Sequence, residues 1–563
     1  MNDGNAMLPV KSPGPSVVPP LEDINLFSSD AALQEAITRE GAGPAAKRLS
    51  SFGMIYGSAE AFELGAQANR AGPRLMTHDR NGLRCDRLEY HPAYHDLLDM
   101  GVAEGMHMSA WSGLLAPQQP ASPPRHGLYV ERAGCLYMAV QIDCGHLRAL
   151  SMTHSAVPAL IQEAQTGSDW LPKIASRNYE RLVPGATDRS QALVAFAIEE
   201  HSVSDAAALT TTAKPIGKPG PGALYRLHGH KCDVVAPTSD GFIVLAQATG
   251  GLACFFAPLE RADGCNNAIQ IEYLKNTVGL RSCATASLRF EGTEAWLIGE
   301  EGRGTAVLSD TGLHARLDAV TLTAGLMRQC LSQVVHAAAF MRSGSSALIA
   351  EPLMQQTLAD LALDAEAASA LGFRLARAFD RATDARAAAW RRLMTPVSMY
   401  WVSRRALALA AEAIDCLGSD GLSEDWPLAR LYRDCPMVAM AGGTANAMAL
   451  EVLRILQREP DVAETVMEEL GQAAGDDPHL KAAHARVEAI LHDPRHLDVR
   501  GRLLVDGLAV LAAGTILRAH VPAFVADAFI MTRMGNQPRQ NYGQGLEWAS
   551  THDIVQRASS NEG

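Results

Sequence analysis

A chain of 563 residues, 47% of them hydrophobic and with a mean hydropathy of −0.02, can bury several cores at ~150 residues per domain. Its net charge of −13 argues against a broad nucleic-acid or anionic-membrane surface, which needs clustered Lys and Arg. The ten Cys stand apart with no C-x-x-C pair, which predicts buried thiols in a reducing cytoplasm. No leader pattern opens the chain. Asp506, Arg518 and His520 interrupt the best candidate for a membrane span.

Residues 1–22 hold Pro13, Pro15, Pro19 and Pro20 and read as a flexible arm. Helical spacing starts at Asp30 and continues to about 180, which predicts an α-domain over 23–180. From 181 to 305 the pattern turns to short alternating or β-branched runs, such as Phe242-Ile243-Val244-Leu245-Ala246, punctuated by Gly and Pro. This predicts a β-domain. Long Ala/Leu-rich helices return over 306–455, as in a helix bundle. A further helical segment covers 456–540, and 541–563 reads as a polar, mobile tail.

Three His pairs, His91/His95, His228/His230 and His492/His496, have spacings that suit a metal. None has a Cys or Glu set nearby, so no metal site is predicted. No Walker A, GxGxxG or GxSxG motif is present.

Residues 430–454 carry the strongest signal. Arg430, Tyr432, Arg433 and Asp434 form an R-x-Y-R-D segment, and Met448-Ala449-Leu450-Glu451-Val452-Leu453-Arg454 follows. Both ends resemble the acyl-CoA dehydrogenase family, in its AidB-like alkylation-response branch. The resemblance extends to Thr38-Arg39-Glu40-Gly41, Tyr90-His91-Pro92-Ala93-Tyr94-His95, Gly229-His230-Lys231 and Gly279 to Ser282, and so to nearly the whole chain. It implies an α+β multidomain protein with the acyl-CoA dehydrogenase fold. The parts would be an N-terminal α-domain, a middle β-domain, a C-terminal four-helix bundle and an AidB-like helical extension. It also implies a homotetramer.

Between those two ends the likeness lapses. The family's catalytic Glu falls on Gly442 and the aromatic before it on Ala441. The second place where some members carry the base, just before a bundle Arg, is Ala315 beside Arg316. The flavin contacts change too. The family's M-T-E-x-x-G-G-S-D run is here Ala197 to Asp205. It keeps Ser204 and Asp205, but Ile198 replaces the hydroxyl donor and both Gly are gone. The G-H-K-W-F-F-S run keeps Lys231 and then reads Cys232, Asp233, Val234, Val235. Met341 stands where the pyrophosphate Arg is expected, with Arg342 one residue away. The glycine turn is Leu417-Gly418-Ser419-Asp420-Gly421.

Other polar residues are gained. A pocket Phe of the AidB branch is His154 here, and His201, Cys232, Asp233 and Asp420 are further candidates to face the cleft. Arg454 matches an AidB pocket Arg. The predicted catalytic set is His154, Arg454, Asp233 and His201. The resulting expectation is a repurposed enzyme with no cofactor, doing flavin-independent acid–base chemistry on a small acyl or apolar substrate, possibly an acyl thioester. One alternative is an FAD-dependent oxidoreductase with rearranged loops, with Ser204, Asp205, Lys231 and Arg342 holding the cofactor. Another is a non-catalytic homologue or partner subunit. No nucleic-acid or membrane partner is expected.

Overall fold

The computed structural model describes residues 18–115, 127–181, 189–201, 205–535 and 541–559. The N-terminal α-domain contains helices Ala31–Arg39, Ala46–Tyr56, Ala59–Arg70, Pro92–Ala103, Leu128–Ala139, Gly145–Leu160 and Ala164–Ile174. The Asp30 carboxylate caps the first, accepting from the Leu33 amide at 3.0 Å. His91 caps the helix that opens at Pro92.

The helical reading missed a hairpin in this domain, Arg74–His78 against Arg84–Glu89. Turn chemistry explains it. The Asp79 side chain accepts from the amides of Asn81 and Leu83, at 2.8 and 2.9 Å, and Gly82 supplies a φ of +79°.

The β-domain sheet has seven strands. Strand Val194–Ala197 lies parallel to Gly241–Ala248. From Gly241–Ala248 the pairing runs through Thr212–Pro215, Leu224–Val235, Thr285–Ile298 and Gly251–Pro258, and returns to its start. Ile269–Leu274 is added outside Thr285–Ile298. Buried Phe242, Phe255, Phe256 and Phe290 fill the interior.

The bundle consists of helices Ser309–Phe340, Pro352–Asp380, Ala385–Leu417 and Pro427–Met440, with Ala445–Arg458 packed on the third. Helix Gly145–Leu160 is buried along nearly its whole length, between the first bundle helix, Pro92–Ala103 and strand Val194–Ala197.

Helices Pro460–Ala474, Pro478–Leu491, Leu497–His520 and Ala523–Met534 form the extension. Leu497–His520 corrects the expectation of no span-like run. By length and composition it is apolar enough to cross a membrane. Here 61% of its most apolar stretch is buried inside the protein, so its apolar surface is spent on helix packing.

The described residues of the predicted arm and tail, 18–22 and 541–559, make contacts with the rest of the protein. Leu21 is buried, and the Pro19 carbonyl lies 2.9 Å from the His336 ring. Residues 1–17 lie outside the described part. The C-terminal segment carries a helix, Thr551–Ala558, where a mobile tail was predicted. Arg557 donates to both Glu35 and Glu366, and buried Ile554 and Val555 face the bundle. Tyr542 donates to Asp364 at 2.8 Å. One apolar stripe and two buried carboxylates are enough to dock a segment that reads as polar overall.

Candidate functional site

Helix Gly145–Leu160 carries His154 into a closed aromatic cluster. Its side chain is fully buried, with ring centroids of Trp111, His314 and Tyr129 at 5.3, 5.7 and 5.8 Å. Trp111 Nε1 donates to the His154 backbone carbonyl at 3.1 Å. Neither His154 ring nitrogen has a partner at good hydrogen-bonding geometry, although the His107 backbone lies close enough to favour the protonated ring slightly. Burial first, then the Arg132 charge, holds this imidazole well below its ordinary range, so it is neutral at physiological pH.

His314, from the first bundle helix, is also neutral, held down to about 4 chiefly by burial. Its Nδ1 faces the Asp310 carbonyl at 2.9 Å, so Nδ1 must carry the hydrogen. Nε2 is then an acceptor, and the Tyr129 hydroxyl, 3.0 Å away, donates to it. Below this pair, Arg132 and Asp318 form a buried two-pronged ion pair. Ser151 donates to the same carboxylate at 2.7 Å, and Arg132 Nε donates to the Met106 carbonyl at 2.6 Å. The cluster can offer one uncommitted neutral imidazole, a donor at one nitrogen and an acceptor at the other, in a dry setting. The sequence reading named His154 as a candidate but not Tyr129, His314 or Arg132, which lie around it. His314 stands two residues before Arg316, and its place on that helix was the available signal.

The other predicted residues lie elsewhere, each with its own partners. His201 is exposed and hydrogen-bonds Tyr273 at 2.8 Å. Asp233 pairs with Lys275 at a bulge, where Cys232 and Asp233 together oppose Ser287. Its φ of +55° is a conformation that Asp tolerates better than most residues. Arg454 is 60% exposed, with Glu451 at 3.7 Å. Asp205 caps the short helix Ala206–Ala208. Ser204 lies outside the described residues.

Lys231 is fully buried. Its ammonium donates to Glu200 at 2.8 Å and to the Ile198 carbonyl at 3.1 Å, and Glu200 also accepts from Thr210 and Thr211. It therefore locks two strands of the sheet together. Arg342, one residue from the position of the family's Arg, lies beyond the helix. The helix ends at Phe340, and Arg342 sits exposed in a hairpin where it donates to the Ser345 carbonyl at 2.6 Å.

At the loop after Pro427–Met440, Arg316 Nε donates to the Gly442 carbonyl at 3.1 Å. A Cβ on Gly442 would meet Arg316 and Met399 at 3.1 Å. The described residues contain no group of three or more His, Cys, Asp or Glu that could hold a metal ion.

The three-part architecture, with an α-domain, a β-domain and a helix bundle, is the acyl-CoA dehydrogenase fold. Structures with that fold superpose over almost the whole chain. ACDH-11 from Caenorhabditis elegans, solved in complex with C11-CoA, does so with a TM-score of 0.82 at 23% identity, covering 98% of this chain and 96% of its own. An acyl-CoA dehydrogenase from Bacillus anthracis, complexed with FAD, gives 0.66 at 16% identity, over 96% and 89%.

Residues 16–181 match the family model for the adaptive response protein AidB N-terminal domain. Residues 302–457 match that for the acyl-CoA dehydrogenase C-terminal domain. The putative acyl-CoA dehydrogenase AidB of Escherichia coli is 35% identical over 96% of this chain and 97% of its own length. The chain therefore belongs to the acyl-CoA dehydrogenase family, in its AidB-like branch.

Proposed function

We propose that this protein is a repurposed member of its family, in which His154 moves a proton on a small acyl or apolar substrate without flavin-dependent dehydrogenation. The observation that carries this reading is the pair of uncommitted, fully buried ring nitrogens on His154. A buried polar atom without a partner costs about 1–3 kcal/mol. That cost is understandable where a substrate carbonyl or acidic hydrogen supplies the missing partner. In the acid–base role the acceptor nitrogen takes a proton from one atom of the substrate and returns it to another atom of the same molecule, the electron pair staying within the substrate. Tyr129, His314 and Trp111 hold the ring and exclude water. Such a step moves no electrons and so needs no flavin.

Family members use FAD as the hydride acceptor, and the residues here fit it poorly. Asp233 is a carboxylate tied to Lys275 where the family has an aromatic ring. Ile198 has no side-chain donor where the family has a hydroxyl, and Met341 stands at the position of the family's pyrophosphate Arg. Gly442 and Ala315 supply no carboxylate for the family's proton abstraction. We place the protein in the cytoplasm as a homotetramer, with no nucleic-acid or membrane partner. The ligand of its C. elegans structural neighbour makes an acyl thioester the first substrate to try.

The test is the visible spectrum of the purified protein and a flavin titration. A colourless protein that takes up no FAD at micromolar concentration supports this reading. A stoichiometric band near ~450 nm overturns it. The 35% identity to a putative dehydrogenase over 96% of the chain would then make an FAD-dependent oxidoreductase the better reading.

A further inference from the structure

A second feature, distant in sequence from His154, lies where the second bundle helix turns into the third. The end of Pro352–Asp380, the start of Ala385–Leu417 and the extension helices Pro460–Ala474 and Leu497–His520 line an open cavity of about 460 Å³. Arg374, Arg377, Arg381 and Arg386 all line it, in a protein whose net charge is −13. The first three recur at helical spacing along one face.

The carboxylates of the cavity are largely committed. Glu469 is taken by Arg374 at 2.7 Å, whose guanidinium also lies 4.3 Å over the Trp390 ring. Asp384 caps the third helix through the Ala387 amide at 2.9 Å. Glu40 holds Arg39 at 2.7 Å and reaches Arg377 only at 3.4 Å. Among the described residues, Arg386 has only Glu468, at 3.8 Å, and no partner is found for the Arg381 side chain.

The helix dipole accounts for part of this arrangement. Cations are favoured at a helix C-terminus, which suits Arg377 and Arg381. Arg386 stands in the first turn of the next helix, where the same dipole disfavours a cation. Something other than helix stability places it there. His520, on the opposite wall, feels the same field. Burial and then the Arg39 charge, opposed by Glu40 and reinforced more weakly by Arg377, keep its imidazole below the ordinary range.

We propose that this cavity binds a small phosphorylated molecule, gripped by the guanidinium forks of Arg377, Arg381 and Arg386. Planar forks with several donors match phosphate oxygens. The volume falls within the range of small-ligand sites. The site is a recess between helices, with Arg381 and Arg386 at its exposed rim.

Calorimetry on the full chain with inorganic pyrophosphate tests the idea. The expected result is one saturable site per chain, weaker at higher salt. Arg381→Gln and Arg386→Gln should each weaken it about ten-fold or more. Arg495→Gln, at a side chain 86% exposed on the extension, should leave it unchanged. Arg381 and Arg386 are exposed, so these variants are expected to fold, and circular dichroism checks that. Absence of saturable binding, or binding undiminished in the Arg381→Gln/Arg386→Gln double variant, overturns the proposal. A short DNA duplex that binds more tightly than pyrophosphate through the same arginines also overturns it, in favour of a nucleic-acid surface.

Discussion

The Arg316 side chain donates to the carbonyl of Gly442 at 3.1 Å, so a cation rests against the place where the family keeps its catalytic Glu. A Cβ there meets Arg316 Cγ and Met399 Cγ at 3.1 Å and Met399 Cε at 3.2 Å, all on flexible side chains that can shift. Gly442→Glu is expected to fold, with its carboxylate paired to Arg316, at a cost of about 1–2 kcal/mol for crowding. It should show no acyl-CoA dehydrogenation in a dye-reduction assay, because restoring the base leaves the flavin positions unchanged.

His154 separates stability from activity. His154→Phe fills the aromatic cluster and removes two unpartnered nitrogens, so the melting temperature should rise, by about 1–2 kcal/mol in stability. His154→Gln should fold. Both should lose turnover, and full activity in either removes His154 from the mechanism. The pH profile offers a second check. This imidazole is held well below its ordinary value, so it is already the free base at pH 6. The acid limb of the rate should therefore fall well below pH 6 and not near 6.5.

The Glu200–Lys231 lock has a pH signature. Glu200 sits down at about 2 despite its burial, held there by hydrogen bonds from Lys231, Thr211 and Thr210. Burial pulls Lys231 the other way, below its ordinary value, while Glu200 favours its charged form. For a carboxylate with a depressed folded-state pKa, the stability contribution is present above about 4.5 and is lost as pH falls toward 2. That contribution is up to about 3 kcal/mol. Glu200→Gln should lower stability at pH 7 and flatten the acid limb of a denaturation profile between pH 5 and 2.

Arg557 ties the C-terminal helix to Glu35 and Glu366. Arg557→Ala leaves Glu366 in a buried position without its main partner, at a cost of about 3–5 kcal/mol if the helix stays docked. Release of the helix is the cheaper outcome. Hydrogen exchange should then rise over residues 541–559 while the bundle stays protected. Unchanged exchange would show that Ile554 and Val555 hold the helix by themselves.

From Glu451 to the end the chain has 11 Lys and Arg against 16 Asp and Glu, a net of −5. Non-specific duplex binding depends on cations displacing phosphate counterions. No retarded band is expected at low micromolar protein and physiological salt. A band that weakens as salt is added would contradict this.

The sequence alone determined the architecture. Hydrophobic period and cap residues are local properties, and Asp30 and the Ala-rich bundle helices do in space what their patterns imply. It also identified the segments of chemical interest, because Gly442, Ile198, Asp233 and His154 are readable one position at a time. Only the tertiary structure decided what those residues face. His154, Asp233, His201 and Arg454 looked like one set in the sequence. In space one lies in a dry aromatic cluster, one is tied to Lys275 at a bulge, and the other two are at the surface. Lys231 resembled a cofactor contact in the sequence, and in space its ammonium pairs with Glu200. The Tyr129–His314 hydrogen bond joins residues 185 positions apart, and the Arg557 bridge to Glu35 spans 522. The free energy of such contacts depends on distance and burial, neither of which has a periodicity along the chain that a sequence pattern can reveal.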